Sequence, residues 1–331
     1  MKAVVLHPKG IFKIEEVTKP QIRPHQVLIK VEGFGLNFAD VMARKGLYRE
    51  APPLPSILGY DVVGEVVEQG NDVPENLIGK RVVAMTRFGG YAEFAATDYR
   101  AVAEIPKDYP LAEALALATQ YCTAYFCLHE KANIYEGDNV LIHAAAGGIG
   151  VSLTQLAKLK GCKIYGTCGS DEKINFILKN GVDVAVNYRK IDYQKEIHER
   201  IHASFNAVGG NTLKKDIKLL SAGGTLICFG AASRTDKKAG FFSNLNLLFS
   251  SGFYNPLFLM MRSKSVVGVN MLKLGDYRPN ALQNTLKEVV KLANNGKIQP
   301  HSGGVFSVND ISKAHSLLEN RNSIGKIAVK W

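Results

Sequence analysis

The chain has 331 residues, 46% hydrophobic and 21% charged, the make-up of a soluble globular protein with apolar material for two cores. A formal net charge of +11 and a pI near 9.3 raise nucleic acid as a partner. The lysines and arginines are scattered, however, with no run of like charge and no zinc-finger or aromatic-basic RNA motif, so that class is set aside in favour of an anionic small ligand.

The opening MKAVVLHPKG has too short an apolar part for a signal peptide and runs straight into a strand pattern. Residues 1–110 read as β-rich. VLIKVEGFG alternates through Val27, Ile29 and Val31 as a half-buried strand does, and VVGEVVEQG, KRVVAM and GGYAEFAAT continue between Gly, Pro and Asn turns. Such a series suggests a barrel or sandwich. Near residue 110 the texture becomes helical in LAEALALATQYCTAYFCLHEKA.

From there the pattern alternates. Strand-like NVLIHA (139–144), KIYGTCG (163–169), DVAVNY (183–188), ASFNAV (203–208) and TLICFGAA (225–232) are separated by helical VSLTQLAKLKG, DEKINFILKNG and NTLKKDIKLLSAGG. This spacing predicts a parallel sheet with right-handed crossovers. NALQNTLKEVVKLANNG (280–296) gives a helix, and HSLLENRNSIGKIAVKW another helix and a last strand. Residues 239–261 carry no charge, but Asn244, Asn246, Asn255 and Pro256 make them too polar for a membrane span. They are read as a buried lid or a surface covered by a partner subunit.

The cysteines are Cys122, Cys127, Cys162, Cys168 and Cys228, an odd number with no CxxC spacing. They are expected to be small, buried, free thiols in a reducing, cytoplasmic setting.

Residues 145–150 read Ala-x-Gly-Gly-Ile-Gly, between a strand and a helix. Compared with G-x-G-x-x-G, Ala145 replaces the first glycine. Gly147 lets the backbone approach a pyrophosphate, and Gly150 lets the helix pack close to the sheet. The helix start offers free N–H groups to phosphates. Alanine in the first place requires the opening turn to avoid positive φ there. An NAD site has an acid about 20 residues on. Here Gly169 and Ser170 fill the strand end, Asp171 and Glu172 follow, and Lys173 and then Tyr188-Arg189 supply cationic and hydroxyl groups. A small residue with a lysine suits an added phosphate, so NADPH is expected over NADH. Lys173 alone also reads as a solvated lysine at a helix start.

HAAAGGIG, GTCGSDEK, VNYR and VGG, in this order, resemble the zinc-independent quinone oxidoreductases of the medium-chain dehydrogenase/reductase superfamily. GFGLNFADVMARKGLY, LPSILGYDVVGEVVEQG and GKRVVAM resemble that family's catalytic domain, and LNFADVMARKGLY with PPLP especially the vesicle amine transport protein branch. The resemblance spans the chain. It implies an α/β protein with a co-chaperonin-like β-barrel catalytic domain at 1–118, completed by 272–331, and a Rossmann domain at 119–271. It further implies metal-free, NADPH-dependent reduction of a quinone or an α,β-unsaturated carbonyl, and a homodimer with its edge near Ser265–Val269.

Carried over by motif, Asn37, Asp40 and Tyr48 line the cleft, and Thr123 starts the joining helix. Gly148 and Ile149 meet the pyrophosphate. Ser170, Lys173, Tyr188 and Arg321 surround the 2′-phosphate. Phe229, Gly230, Ala231, Gly268 and Asn270 flank the nicotinamide. The zinc ligands of alcohol dehydrogenases are missing, since Asn37 and Gly59-Tyr60-Asp61 stand where the resemblance expects a cysteine and GHE. Asn206 departs from the family's usual Asp, which leaves its strand a candidate for truncation.

Chemistry without a metal rests on positioning. Tyr48 and Asn37 are the candidate donors to the substrate oxygen, with Thr123 weaker. Tyr48 reads equally as a pocket wall, Asn37 as a structural amide, and Asp40 as an orienting group. The histidines show no paired spacing, and His143 is expected to hydrogen-bond the glycine turn. A second functional class stays open, a nucleotide-binding structural or partner protein with little turnover.

Overall fold

A computed structural model describes residues 1–236, 251, 252 and 254–331. The expected lid at 239–261 therefore falls mostly outside the described residues. Among the described residues no helix is long and apolar enough to cross a membrane. The chain divides into two compact units, Met1–Cys122 with Met271–Trp331, and Thr123–Asn270.

The first unit is built around the long strand Gln26–Leu36. It pairs antiparallel with Asp61–Gln69, Phe94–Asp98 and Lys326–Lys330, within a seven-stranded sheet that also holds Ser302–Ser307, Arg81–Met85 and Val102–Glu104. A smaller sheet of Ile11–Glu16, Lys2–His7 and Ser56–Ile57 joins it through the Ala3–Ala92 bridge. Both contribute to one core, with Leu6, Ile29, Phe34, Val62 and Tyr91 fully buried. The VLIK alternation foretold a half-buried strand, yet Val27, Leu28 and Ile29 are all fully buried. The helix Leu111–Ala116 packs on this strand, and the Leu111 side chain sits against Gly33, so both faces are covered.

The second unit is a six-stranded, wholly parallel sheet. Its spatial order is Val184–Asn187, Lys163–Cys168, Asn139–Ile142, Ile201–Asn206, Leu220–Cys228, Ser265–Gly268. Numbered along the chain this is 3-2-1-4-5-6, the doubly wound order. The order reverses between Asn139–Ile142 and Ile201–Asn206, and ligands of such sheets bind outside the carboxyl ends of the strands at that point. The strand doubted because of Asn206 is complete, running from Ile201 to Asn206 and paired on both sides. Its polar end residue is accommodated because Asn206 finds partners for its whole amide.

Candidate active site

The turn after Asn139–Ile142 is shaped by backbone sterics. Ala144 adopts φ 51°, a left-handed conformation that costs a non-glycine residue about 1–2 kcal/mol. Positive φ is thus absent at Ala145, as the sequence requires, and falls one residue earlier. The turn is held by Gly147 N–H donating to Ala144 O (2.8 Å) and Ala145 N–H to Thr167 O (2.8 Å). Gly147 caps the helix Gly148–Leu159. A Cβ on Gly150 would overlap Ala144 O and lie 2.6 Å from Ala145 Cα, so only glycine fits between helix and turn. The N–H groups of Gly148, Ile149 and Gly150 occupy the unbonded first turn of this helix, where an anion is favoured.

At the end of the next strand, Ser170 caps the helix Asp171–Lys179 without a side-chain bond of its own. Burial pushes the Lys173 ammonium below its ordinary value, and Arg189 pushes it further the same way. A Cβ on Gly169 would come within 2.9 Å of Tyr188 Oη and 3.5 Å of Arg189 Nε, so these groups converge on one strand end. Asp171, the nearest acid, accepts from Asn187 Nδ2 at 2.7 Å and pairs with Lys190. Those partners hold its carboxyl below the usual range. The strand end thus presents two cations and a hydroxyl, with its acid already engaged. The glycine cradle and this electropositive end fit a dinucleotide with an extra phosphate.

Two further loops end at the same edge of the sheet. Gly209 and Gly210 stand at φ 77° and 63°. A Cβ on Gly230 would meet Ala207 O at 2.6 Å, which draws Phe229, Gly230 and Ala231 onto that turn. Gly268 pairs with Cys228 in register, and Val269 N–H donates to Cys228 O. Gly268 and Asn270 are both exposed there. His143 does not bond the glycine turn as expected. Its ring lies in a buried contact with Thr167 and Asp216, because a residue at the end of this strand points into the layer beneath the helices.

In the first unit, Asn37 caps the helix Phe38–Arg44. Asp40 is fully buried and accepts from Asn37 N–H (2.9 Å) and Gly59 N–H (3.2 Å), which ties the helix start to the Gly59–Asp61 turn. Burial pushes its carboxyl up to about 7, against the pull of the Asn37 N–H. The Asn37 amide donates to Asp61 Oδ2 (3.2 Å) and accepts from Lys326 Nζ (3.1 Å), and Lys326 also pairs with Asp61 at 2.6 Å, both of them fully buried. A Cβ on Gly35 would overlap this pair. Tyr48 is half-buried, packs edge-on against Tyr60 at 6.2 Å, and has its hydroxyl pushed up by burial, so it stays a neutral donor.

These contacts favour the structural reading of Asn37, since its carbonyl and one amide hydrogen are engaged. Among the described residues its second amide hydrogen has no acceptor. They also test zinc. A lysine ammonium bonded to Asn37 and Asp61 is the wrong donor set for Zn²⁺. Among the described residues no three His, Cys, Asp or Glu side chains group as metal ligands.

Thr123 is buried but does not start a helix. It lies within Cys122–Tyr125, preceded by the helical Leu117–Tyr121, because nothing in the apolar run before it breaks the helix. Arg321 belongs to the first unit, in left-handed backbone at φ 58°. Lys326 and Asp216 were not among the expected site residues, since each has the pattern of a solvated charge, and Asp61 was noted only as standing in the turn that lacks a zinc ligand. Gly35, where a Cβ would overlap Asp61 and Lys326, leaves room for the pair. All five cysteines are free, with Cys228 half-buried and the others buried.

Residues 148–293 match the family described as zinc-binding dehydrogenase, and residues 23–107 the alcohol dehydrogenase GroES-like domain. The chain is 31% identical over 323 residues to quinone oxidoreductase-like protein 2 of Bos taurus, covering 95% of this chain and 87% of that one. It is 30% identical to the synaptic vesicle membrane protein VAT-1 homolog of Danio rerio, across 93% of this chain but only 65% of that protein. The crystal structure of Escherichia coli quinone oxidoreductase complexed with NADPH superposes with a TM-score of 0.86 at 25% identity, covering 100% of both chains. The co-chaperonin-like and Rossmann halves and these relatives agree, and the chain belongs to the medium-chain dehydrogenase/reductase superfamily, among its quinone oxidoreductase-like members.

Proposed function

We propose that the chain is an NADPH-dependent, metal-independent reductase of quinones or α,β-unsaturated carbonyls. The observation that carries the proposal is the pairing of a glycine-tight turn at Gly150 with a strand end where Tyr188 Oη and Arg189 Nε converge on Gly169, Lys173 lies in the first turn of the following helix, and Asp171 is paired with Lys190. The NADPH complex of the E. coli relative supports the same coenzyme. Metal independence draws on the lysine in the donor set.

In this reading the backbone at Gly147, Gly148, Ile149 and Gly150 holds the pyrophosphate. Gly169, Ser170, Lys173 and Tyr188 hold the 2′-phosphate, with Arg321 as a further candidate cation. Phe229, Gly230, Ala231, Gly268 and Asn270 orient the nicotinamide. Bound NADPH supplies a hydride from its nicotinamide ring. Tyr48, and the remaining amide hydrogen of Asn37, donate to the substrate oxygen as it gains charge. Thr123 is a weaker candidate for that role. Asp40 holds Asn37 and the Gly59–Asp61 turn in place, and the final proton comes from solvent. The working form is taken to be a cytoplasmic homodimer joined along Ser265–Gly268, a strand paired on one side only among the described residues.

NADPH oxidation followed with a panel of small quinones and enones tests the proposal. Turnover with NADPH in preference to NADH is expected. Tight NADPH binding with no turnover across the panel would overturn the reductase and leave a nucleotide-binding partner protein. No binding of either coenzyme would overturn both.

A further inference from the structure

Beneath the glycine turn the second unit buries a polar cluster that the proposed reaction does not use. Asp216, on the helix Asn211–Leu219, is fully buried. Its carboxylate accepts from Tyr193 Oη (2.7 Å), Ser204 Oγ (2.8 Å), Asn206 Nδ2 (2.6 Å) and His143 Nε2 (3.0 Å). A carboxylate has about four acceptor sites, so this one is saturated. Burial pushes its carboxyl up, but His143 and the other donors outweigh that and hold it below the usual range. Saturation explains why the charge is tolerated. It does not explain why a charge is there, since an apolar residue of similar volume often serves stability as well.

The cluster ends at two loops. On one side, His143 immediately precedes the strained Ala144, and its Nδ1 contacts Thr167 Oγ1 at 3.1 Å. The backbone of that same Thr167 holds Ala145. On the other side, Asn206 Oδ1 accepts from Val208 N–H (2.9 Å) and Gly209 N–H (2.8 Å), fixing the 206–210 turn. That turn in turn holds Ala232 and Ser233 through Ala207 O and Val208 O. The strands carrying the two loops are the neighbours at which the sheet order reverses.

We infer that Asp216 is a positioning residue for the dinucleotide, locking the 143–147 and 206–210 turns at one spacing so that pyrophosphate and nicotinamide meet a preformed site. The inference rests on the nucleotide-binding reading above. Asn206 suits the role because its amide donates to Asp216 while accepting from Val208 and Gly209. An aspartate there would set two carboxylates 2.6 Å apart.

Asp216→Asn, Asn206→Asp and the double variant Asn206→Asp/Asp216→Asn test this. Each is titrated calorimetrically with NADPH and with adenosine 2′-monophosphate, which reaches only the ribose-phosphate end. Each single variant is expected to weaken NADPH by about tenfold or more while adenosine 2′-monophosphate changes by no more than about twofold. The double variant, which restores one carboxylate facing one amide, is expected to recover most of the NADPH affinity. Tyr193→Phe removes one donor, keeps the ring, and should give a smaller loss of the same selectivity if Asp216→Asn does not fold. Unchanged NADPH affinity in the singles, proportional loss of both ligands, or no recovery in the double would overturn the inference. Wild-type protein that binds no NADPH would overturn the coenzyme reading itself, a distinct result.

Discussion

At Gly150 a single hydrogen in place of a methyl group decides whether the helix can sit on its turn. The obstacle is backbone, Ala144 O and Ala145 Cα, which cannot swing aside as a side chain can. Gly150→Ala is therefore expected to lower stability by about 1–3 kcal/mol and to weaken NADPH more than it weakens adenosine 2′-monophosphate. Thermal melts and calorimetry check this. Lys173 works by charge, and its lowered pKa reflects burial and the nearby Arg189, a repulsion that a bound phosphate would relieve. Lys173→Ala should reduce the preference for NADPH over NADH by roughly tenfold to a hundredfold, the worth of one or two charge-assisted hydrogen bonds. Titration with both coenzymes reads that ratio, and an unchanged ratio would sink the 2′-phosphate assignment.

At the scale of elements, buried charges join segments far apart in the chain. Lys326 on the last strand pairs with Asp61 at the start of Asp61–Gln69, and both reach Asn37 at a helix cap. Removing one partner leaves the other buried and uncompensated, so Lys326→Met should cost about 3–5 kcal/mol in a denaturant titration. Adding Asp61→Leu should return part of that loss. His315, on the helix Ile311–Glu319, gives a pH test. Burial, and after it Arg44, pushes its ring down to about 3, from 6.5. The neutral ring therefore contributes stability above pH 6.5 that is lost as pH falls toward 3. Asp40 has the opposite sign, since a carboxyl raised to about 7 loses its contribution as pH rises from 3.8. The comparison must therefore be with a variant. The stability gap between wild type and His315→Gln, which keeps an acceptor for Tyr91, should narrow on acidification below 6.5.

For the whole molecule, the candidate donors Tyr48 and Asn37 belong to one unit and the glycine turn to the other. Tyr48→Phe separates the two contributions. NADPH affinity should stay at the wild-type value while kcat/KM for a quinone falls by about tenfold or more, the loss of one donor to developing charge. Equal loss of NADPH affinity would instead assign Tyr48 to folding or to coenzyme binding. The parallel sheet was legible because NVLIHA, KIYGTCG and DVAVNY recur at βαβ spacing, and the tight glycine turn because Gly147 and Gly150 bracket a helix start. Asp216 was not legible. In NTLKKDIKLL an aspartate among lysines has the pattern of a solvated helix face, yet here that position turns inward. Lys326 in GKIAVK was hidden for a similar reason, because alternation tells which residues share a face but not what covers it.

Legible in the sequence were the alternation of strands and helices, the glycine turn at 145–150, and the small residues Gly169 and Ser170 that follow Lys163–Cys168. Periodicity and backbone sterics act over a few residues and are written locally. The tertiary structure alone decided which charges are buried and with whom, as Lys326 and Asp61 lie 265 positions apart. It also decided that one buried carboxylate, Asp216, would bond both His143 before one turn and Asn206 at the start of the other. Burial and pairing belong to surfaces that exist only after distant segments have met.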